Sequence, residues 1–255
     1  ILGEESYAYE AAQWYGWDLG DKTFFVPVGN AGNITAVMSG LLKLRQLDII
    51  PALPRLFGVQ SEHADPVWRY YRRPASERRY EPVTVRPSVA QAAMIGNPVS
   101  FPRVRALVER YEAAGGSFGV VQVSEQAIMD ATITANRHGH IICTQGGECL
   151  AGLLQARADG LVRADEEALL DSTAHILKFA DFQNHYLTQT FPSEYGVTPN
   201  PDLANAPRLV MDAAEKERIM ARAKMAGANN DAPRAFAEAA AAAVAKRLGL
   251  SPLSA

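Results

Sequence analysis

Apolar and polar positions in the first part of the chain form a helical pattern, a strand-like run and a second helical pattern. Between Glu4 and Trp17 apolar residues recur at intervals of three and four, which predicts an amphipathic helix that ends at Gly16. The run Phe24–Val28 is apolar throughout, as is typical of a strand covered on both faces. Gly29–Asn33 follows, and helical spacing then resumes. These patterns predict a strand, a glycine-containing loop and a helix in direct succession.

The same alternation recurs further along the chain. Strands are predicted at 55–60, 118–123 and 168–171, and helices at 66–72, 101–114, 124–136 and from the glycine pair at 146–147 to 158. Residues 73–88 are rich in Arg and Pro, which predicts a loop. Helices that alternate with apolar strands imply crossover connections and parallel pairing. The predicted fold class is α/β, with an open, mostly parallel sheet and helices on both faces.

The pattern changes near residue 192. Extended coil with turns is predicted at 192–207, a helix at 212–224 and an Ala-rich helix at 235–248. Alanine favours helix formation and packing, and it brings no reactive group. We therefore predict a main α/β domain over residues 1–192 and a C-terminal helical extension over residues 193–255.

Composition and charge exclude several classes of partner. The chain has a formal net charge of −3, with 48% hydrophobic and 21% charged residues, which supports a folded core and gives no strong field to attract nucleic acid. No run of eighteen apolar residues occurs, so no membrane contact is expected. With two cysteines and no signal-peptide pattern, the protein is expected to be cytoplasmic.

The loop Gly29–Asn33 is the strongest candidate for chemistry. It follows a buried strand and opens a helix, where unpaired backbone N–H groups and the helix dipole favour an anion. No Gly-Lys-Ser/Thr follows, and the spacing is not Gly-x-Gly-x-x-Gly, so nucleotide loops of those types are disfavoured. A phosphate-binding loop and a tight structural turn both remain open on spacing alone, and the first is favoured.

A possible zinc site and a lysine late in the chain are further candidates for chemistry. His138, His140, Cys143 and Cys149 match no standard zinc spacing, and no metal is expected. Lys178 is interpreted as a surface or structural lysine.

The segment Val26–Ala36 resembles the cofactor-phosphate loop of the threonine synthase family, which consists of pyridoxal-phosphate enzymes of the tryptophan-synthase-β fold type. Four other segments agree in order, and the resemblance covers about residues 1 to 180. They are Gly58–Glu62, Ile95–Val99, Leu150–Leu153 and Ser172–Lys178.

The resemblance implies a set of cofactor contacts. The phosphate of pyridoxal phosphate would lie against the backbone amides of Gly29, Asn30, Ala31, Gly32 and Asn33. Asn33 would also bind the phosphate of the substrate, O-phosphohomoserine. The Thr173 hydroxyl would donate a hydrogen bond to the pyridine nitrogen and leave that nitrogen unprotonated. Residues 1–192 would then form the major part of the catalytic domain.

The upstream part of the family pattern has no counterpart here. The Schiff-base lysine of the family lies upstream of the glycine loop, and nothing before Gly29 resembles its segment; Lys22 is the lysine found there. The chain also starts without Met. We therefore expect it to be the C-terminal portion of a longer enzyme, with no catalytic residue of its own and no activity alone.

The resemblance implies conversion of O-phosphohomoserine and water to threonine and phosphate. Two alternatives remain open: another lyase of the same fold type, such as threonine dehydratase or cysteine synthase, and a non-catalytic phosphate-binding fragment. The expected partner is a small-molecule substrate, and a homo-oligomer is a possible assembly.

Overall fold

A computed structural model describes residues 1–207, 209, 211–225 and 232–250. Its strands are β1 (Thr23–Pro27), β2 (Arg55–Ser61), β3 (Ser117–Val123) and β4 (Ala168–Leu170). Its α-helices are α1 (Ser6–Trp14), α2 (Gly32–Gln46), α3 (Pro66–Tyr71), α4 (Phe101–Ala113), α5 (Glu125–Arg137), α6 (Thr144–Ala158), α7 (Ala180–Leu187), α8 (Ala213–Met225) and α9 (Ala232–Leu248). The short 3₁₀ segments are Gly3–Glu5, Ala75–Glu77, Gln91–Ala93, Ile176–Phe179, Ser193–Tyr195 and Pro201–Leu203.

The four strands form one parallel sheet in the order β3-β2-β1-β4. Phe25 at the centre of β1 lies beside Phe57 of β2 on one side and Leu170 of β4 on the other. Because every strand runs in the same direction, their carboxyl ends meet at one edge of the sheet. The loop after β1 and the segment after β4 both start at this edge.

Helices cover both faces of the sheet, which confirms the predicted α/β class. Phe24 and Val26 belong to a core cluster with residues of α1, α2 and α4. Phe25 points the other way and belongs to a second cluster with residues of α5, α6 and α7. The five residues of β1 are all buried, because alternate side chains enter opposite cores. This explains why the run is apolar without alternation.

The start of α6 differs from the prediction. The helix begins at Thr144, so Gly146 and Gly147 lie inside it and do not precede it. A Cβ at position 147 would meet the Thr132 side chain and, at 2.9 Å, the Ile128 carbonyl oxygen of α5. Gly147 therefore allows close packing of α6 on α5, although paired glycines more often mark a turn.

The chain divides into two compact units, Ile1–Ala204 and Asn205–Ala255. In the second unit α8 and α9 occupy the two segments where helices were predicted. Residues 208, 210, 226–231 and 251–255 of the predicted extension lie outside the described residues. The assignment of a catalytic domain to 1–192 and an extension to 193–255 stays a prediction. Within the described ranges, no helix has both the length and the apolar character needed to cross a bilayer.

Candidate functional site

A cavity of about 310 Å³ opens at the carboxyl edge of the sheet. The loop after β1 forms one wall, the segment 173–179 forms another, and residues 92–93 with Gln145 complete it. The lining residues are Pro27, Gly29, Asn30, Ala31, Gly32, Asn33, Ala92, Ala93, Gln145, Thr173, Ala174, Lys178 and Phe179. The structure thus brings all the predicted site residues to one cavity. That they contact a cofactor or a substrate there remains a prediction.

The backbone of the loop is arranged to receive an anion. Ala31 precedes α2 with φ of 63°, a left-handed conformation that is uncommon for alanine. Among the described residues, none accepts a hydrogen bond from the backbone N–H groups of residues 29–33. These donors lie at the positive end of a fifteen-residue helix. Unpaired N–H groups at such a position are a common binding site for phosphate.

The two loop glycines have different surroundings. A Cβ on Gly29 would lie 2.8 Å from the Ala93 Cα and 2.9 Å from the Ala92 carbonyl oxygen. Glycine is required there because the loop packs directly on the backbone of the neighbouring wall. A Cβ on Gly32 would meet no atom within 4 Å. Gly32 instead leaves open space at the first turn of α2.

Neighbouring segments hold the loop in place. The Gln60 side chain donates to the Val28 carbonyl oxygen at 3.0 Å, just before the loop, and its own oxygen accepts from two N–H groups of α3. The Asn30 carbonyl oxygen accepts from the backbone N–H of Ser100 at 3.3 Å. The loop is therefore fixed through β2, which carries part of the family resemblance, and through Ser100, which directly follows the Ile95–Val99 segment.

The segment after β4 faces the loop across the cavity. Thr173 lies three residues beyond the end of β4, and its side chain is exposed. Its backbone N–H donates to Asp171 Oδ1 at 3.0 Å. Asp171 also accepts from the Asn33 side-chain amide. Burial raises the pKa of the Asp171 carboxyl, and the hydrogen bonds from Asn33 and Thr173 oppose that rise.

The third wall depends on a buried carboxylate that sequence reasoning missed. Glu125, 1% exposed, accepts from the Ser61 hydroxyl at the end of β2 and from the Val89 N–H at 2.6 Å. These bonds hold the 88–93 segment against the sheet. Gln145 contributes from α6, where its amide oxygen, turned toward the wall, accepts from the Ala92 N–H at 3.1 Å. No sequence motif pointed to Glu125 or Gln145.

Lys178, interpreted from the sequence as a surface or structural lysine, is exposed and lies at the cavity. It lines the cavity and is the cationic side chain among the lining residues named above, which include no carboxylate. Lys22, in contrast, precedes β1 at the opposite edge of the sheet, where its ammonium binds Asp21 at 3.0 Å and Glu167 at 2.8 Å. The hydrogen bonds that Lys22 donates to Glu167 and Asp21 raise its pKa, as expected of a structural ion pair.

In the part of the chain that is described, no group of three or more His, Cys, Asp or Glu side chains is arranged to hold a metal ion. Cys143 and Cys149 are buried thiols.

The cavity fits a molecule that carries a phosphate at one end and a flat ring. The unpaired N–H groups and the open space at Gly32 suit a phosphate, and Lys178 adds a positive charge. The Thr173 hydroxyl and the half-buried Phe179 ring lie on the facing wall. This donor set suits pyridoxal phosphate.

Comparison with known proteins agrees with this geometry. Residues 1–170 match the sequence model of the family described as pyridoxal-phosphate dependent enzyme. The chain is 32% identical over 187 residues to threonine synthase 2, chloroplastic, of Arabidopsis thaliana. This alignment covers 73% of the chain and 35% of the plant protein. It is 30% identical over 181 residues to threonine synthase of Methanocaldococcus jannaschii, with coverage of 71% and 43%. The chain thus spans less than half the length of both relatives.

The fold resembles a crystal structure of a fungal L-serine ammonia-lyase from Rhizomucor miehei. The TM-score is 0.50 at 14% identity, and the match covers 71% of this chain and 55% of the fungal one. At this identity the likeness concerns the fold alone.

Proposed function

Because the chain belongs to the pyridoxal-phosphate dependent enzyme family, we propose that it provides the phosphate-binding and ring-binding part of a threonine synthase. Pyridoxal phosphate is the cofactor of this family. The proposed reaction converts O-phosphohomoserine and water to threonine and phosphate. The observation that carries the proposal is the single cavity lined by both the 29–33 loop and Thr173.

We assign the cofactor phosphate to the backbone amides of Gly29, Asn30, Ala31, Gly32 and Asn33. Their unpaired donors and the dipole of α2 favour a dianion without any side-chain rearrangement. Asn33 is also the proposed contact to the substrate phosphate. Its side-chain nitrogen has two hydrogens, and the bond to Asp171 uses one of them.

Thr173 is assigned to the pyridine nitrogen. A neutral hydroxyl at that atom does not protonate the ring, which moderates its strength as an electron acceptor. When bound, pyridoxal phosphate supplies the electron sink that makes carbon-bound protons of an amino-acid substrate acidic. The cavity walls would orient the ring and the phosphate, and the half-buried Phe179 on one wall would limit the access of water.

We further propose that no lysine of this chain bonds covalently to the cofactor. Lys22 lies at the far edge of the sheet in an ion pair, and Lys178 lines the cavity as a phosphate counter-charge. Borohydride reduction of the chain with pyridoxal phosphate, followed by peptide mapping, tests this assignment. Specific labelling of Lys178 would contradict it.

The activity itself is tested on the protein isolated from its native source. Incubation with pyridoxal phosphate and O-phosphohomoserine should release phosphate and threonine in equal amounts. Formation of ammonia and a 2-oxo acid from threonine would identify a dehydratase instead. Phosphate binding without turnover of any substrate would identify a non-catalytic fragment. Cytoplasmic location and self-association remain predictions that fractionation and sedimentation can check.

Replacement of Thr173 by valine should weaken binding of pyridoxal phosphate about fivefold, since a neutral hydrogen bond contributes about 1 kcal/mol. Valine keeps the shape of threonine and removes the hydroxyl. Inorganic phosphate provides the internal control, because its binding at the loop should not change. Equilibrium dialysis measures both dissociation constants. An equal loss for the two ligands, or no loss for either, would contradict the assignment.

Replacement of Lys178 by methionine should weaken binding of inorganic phosphate about two- to fivefold at low salt, because an exposed charge contributes up to about 1 kcal/mol. The difference should shrink as salt screens the charge. Lys178→Arg is the matched control and should retain most of the affinity. Titration calorimetry at two ionic strengths measures the effect. A loss that is independent of salt would indicate a structural role for Lys178.

A further inference from the structure

Asp171 lies directly behind the cavity and is not one of its lining residues. It follows the last residue of β4, and its backbone N–H donates to the Phe25 carbonyl oxygen of β1 at 3.0 Å. The residue is 5% exposed. The backbone of Asp171 is therefore held by the sheet, and its carboxylate has a fixed place at the carboxyl edge.

The two oxygens of this carboxylate join the two ends of the cavity. Oδ2 accepts from the Asn33 side-chain amide, 138 positions earlier in the chain. Oδ1 accepts from the Thr173 backbone N–H at 3.0 Å. One side chain thus connects the loop that would bind phosphate with the segment that would meet the ring.

A carboxylate imposes an orientation that an amide would not. It accepts hydrogen bonds and donates none, so the nitrogen of Asn33 and not its oxygen must face Asp171. The second N–H of Asn33 and its oxygen are then directed elsewhere. Since Asn33 lines the cavity, this choice decides which of its polar atoms a ligand can meet.

We propose that Asp171 is a positioning residue: it orients the Asn33 amide and the Thr173 segment for a phosphate-bearing ligand that Asp171 does not touch itself. This inference rests on the proposed function and extends it to a residue outside the cavity wall. The cost of a buried carboxylate is offset by the two charge-assisted hydrogen bonds it accepts.

The first test uses the ligand-free chain. The Asn33 side-chain NH₂ resonances are compared by ¹⁵N NMR in wild type, Asp171→Asn and Asp171→Ala. Asp171→Asn preserves the shape and so guards against loss of folding. Glu166→Gln is the matched control, because Glu166 is also a buried carboxylate beside β4. It lies at the opposite end of that strand and binds Arg55 and Thr23. The Asn33 resonances should move, and exchange faster with solvent, in both Asp171 variants and not in Glu166→Gln.

The second test measures binding of inorganic phosphate by dialysis in a double-mutant cycle with Asn33→Ala. Asp171→Ala should weaken phosphate binding about fivefold in the wild-type background and less than twofold in the Asn33→Ala background, because the effect passes through Asn33. Glu166→Gln should lower the melting temperature without changing phosphate affinity. Equal losses in both backgrounds, or a lowered melting temperature alone, would overturn the inference.

The two tests separate the failure of this inference from failure of the proposed function. If the wild-type chain binds neither inorganic phosphate nor pyridoxal phosphate at millimolar concentration, the proposed function fails. The Asn33 resonances then still decide whether Asp171 orients Asn33, and unchanged resonances in Asp171→Ala overturn it.

Discussion

Replacement of Gly29 by alanine is expected to weaken binding of pyridoxal phosphate at least tenfold. The new methyl group would lie 2.8 Å from the Ala93 Cα and 2.9 Å from the Ala92 carbonyl oxygen. Both are backbone atoms and cannot rotate away, so the loop and the segment that contains Ala92 and Ala93 must separate. Both segments line the cavity, and loss of one hydrogen bond to a charged phosphate, about 1.5 to 3 kcal/mol, corresponds to a tenfold or larger loss of affinity. Absorbance titration with the cofactor measures the loss.

Gly32→Ala is the control for Gly29→Ala. It adds a methyl group to the same loop without a clash with the backbone of another segment. Its methyl group would meet no protein atom within 4 Å, and the backbone at position 32 is not in the left-handed region that requires glycine. Alanine also restricts the unfolded chain more than glycine does. The free energy of unfolding should therefore be unchanged or higher, whereas Gly29→Ala should lower it. If Gly29→Ala binds the cofactor as tightly as wild type, the loop is not the phosphate site.

Replacement of Glu148 by glutamine is expected to stabilise the chain at neutral and higher pH. The Glu148 side chain is fully buried, and among the described residues neither carboxylate oxygen has a hydrogen-bond partner. Burial, and then the nearby Glu125 carboxylate, raise the pKa of Glu148 well above 4.5. An unpaired buried polar group costs about 1 to 3 kcal/mol, and more when charged.

The raised pKa of Glu148 makes its contribution to stability depend on pH. The folded state holds the Glu148 proton more tightly than the unfolded state does. The contribution of Glu148 to the free energy of unfolding is therefore highest below pH 4.5. It falls by about 1.4 kcal/mol per pH unit between that value and the raised folded pKa. Urea denaturation from pH 5 upward should show the free energy of unfolding of wild type falling relative to that of Glu148→Gln, until the pH passes the raised folded pKa. Parallel curves for the two proteins would show that Glu148 titrates normally.

Sequence patterns alone predicted the α/β class and most of the elements. Phe24–Val28 indicated a buried strand, and Ser124 indicated the start of a helix; in the structure its hydroxyl accepts from the Ala127 N–H at 3.1 Å. These features are local, because burial on both faces and helix capping depend on neighbouring residues. The loop Gly29–Asn33 was found for the same reason: its strand, turn and helix are contiguous.

Tertiary structure alone decided which further residues lie at the cavity beside the loop 29–33 and Thr173, which the family resemblance had already placed together. The bond between Asn33 and Asp171, the place of Lys178 on the cavity wall and the anchoring of residues 88–93 by Glu125 join segments that no short-range pattern connects. The prediction that α6 starts after the glycines at 146–147 was wrong, because Gly147 is required by close packing of α6 on α5 and not by a turn. Hydrophobic periodicity reports which side of an element is buried. It does not report what lies opposite, and at a sheet edge where several strands end, the chemistry depends on the opposing residues.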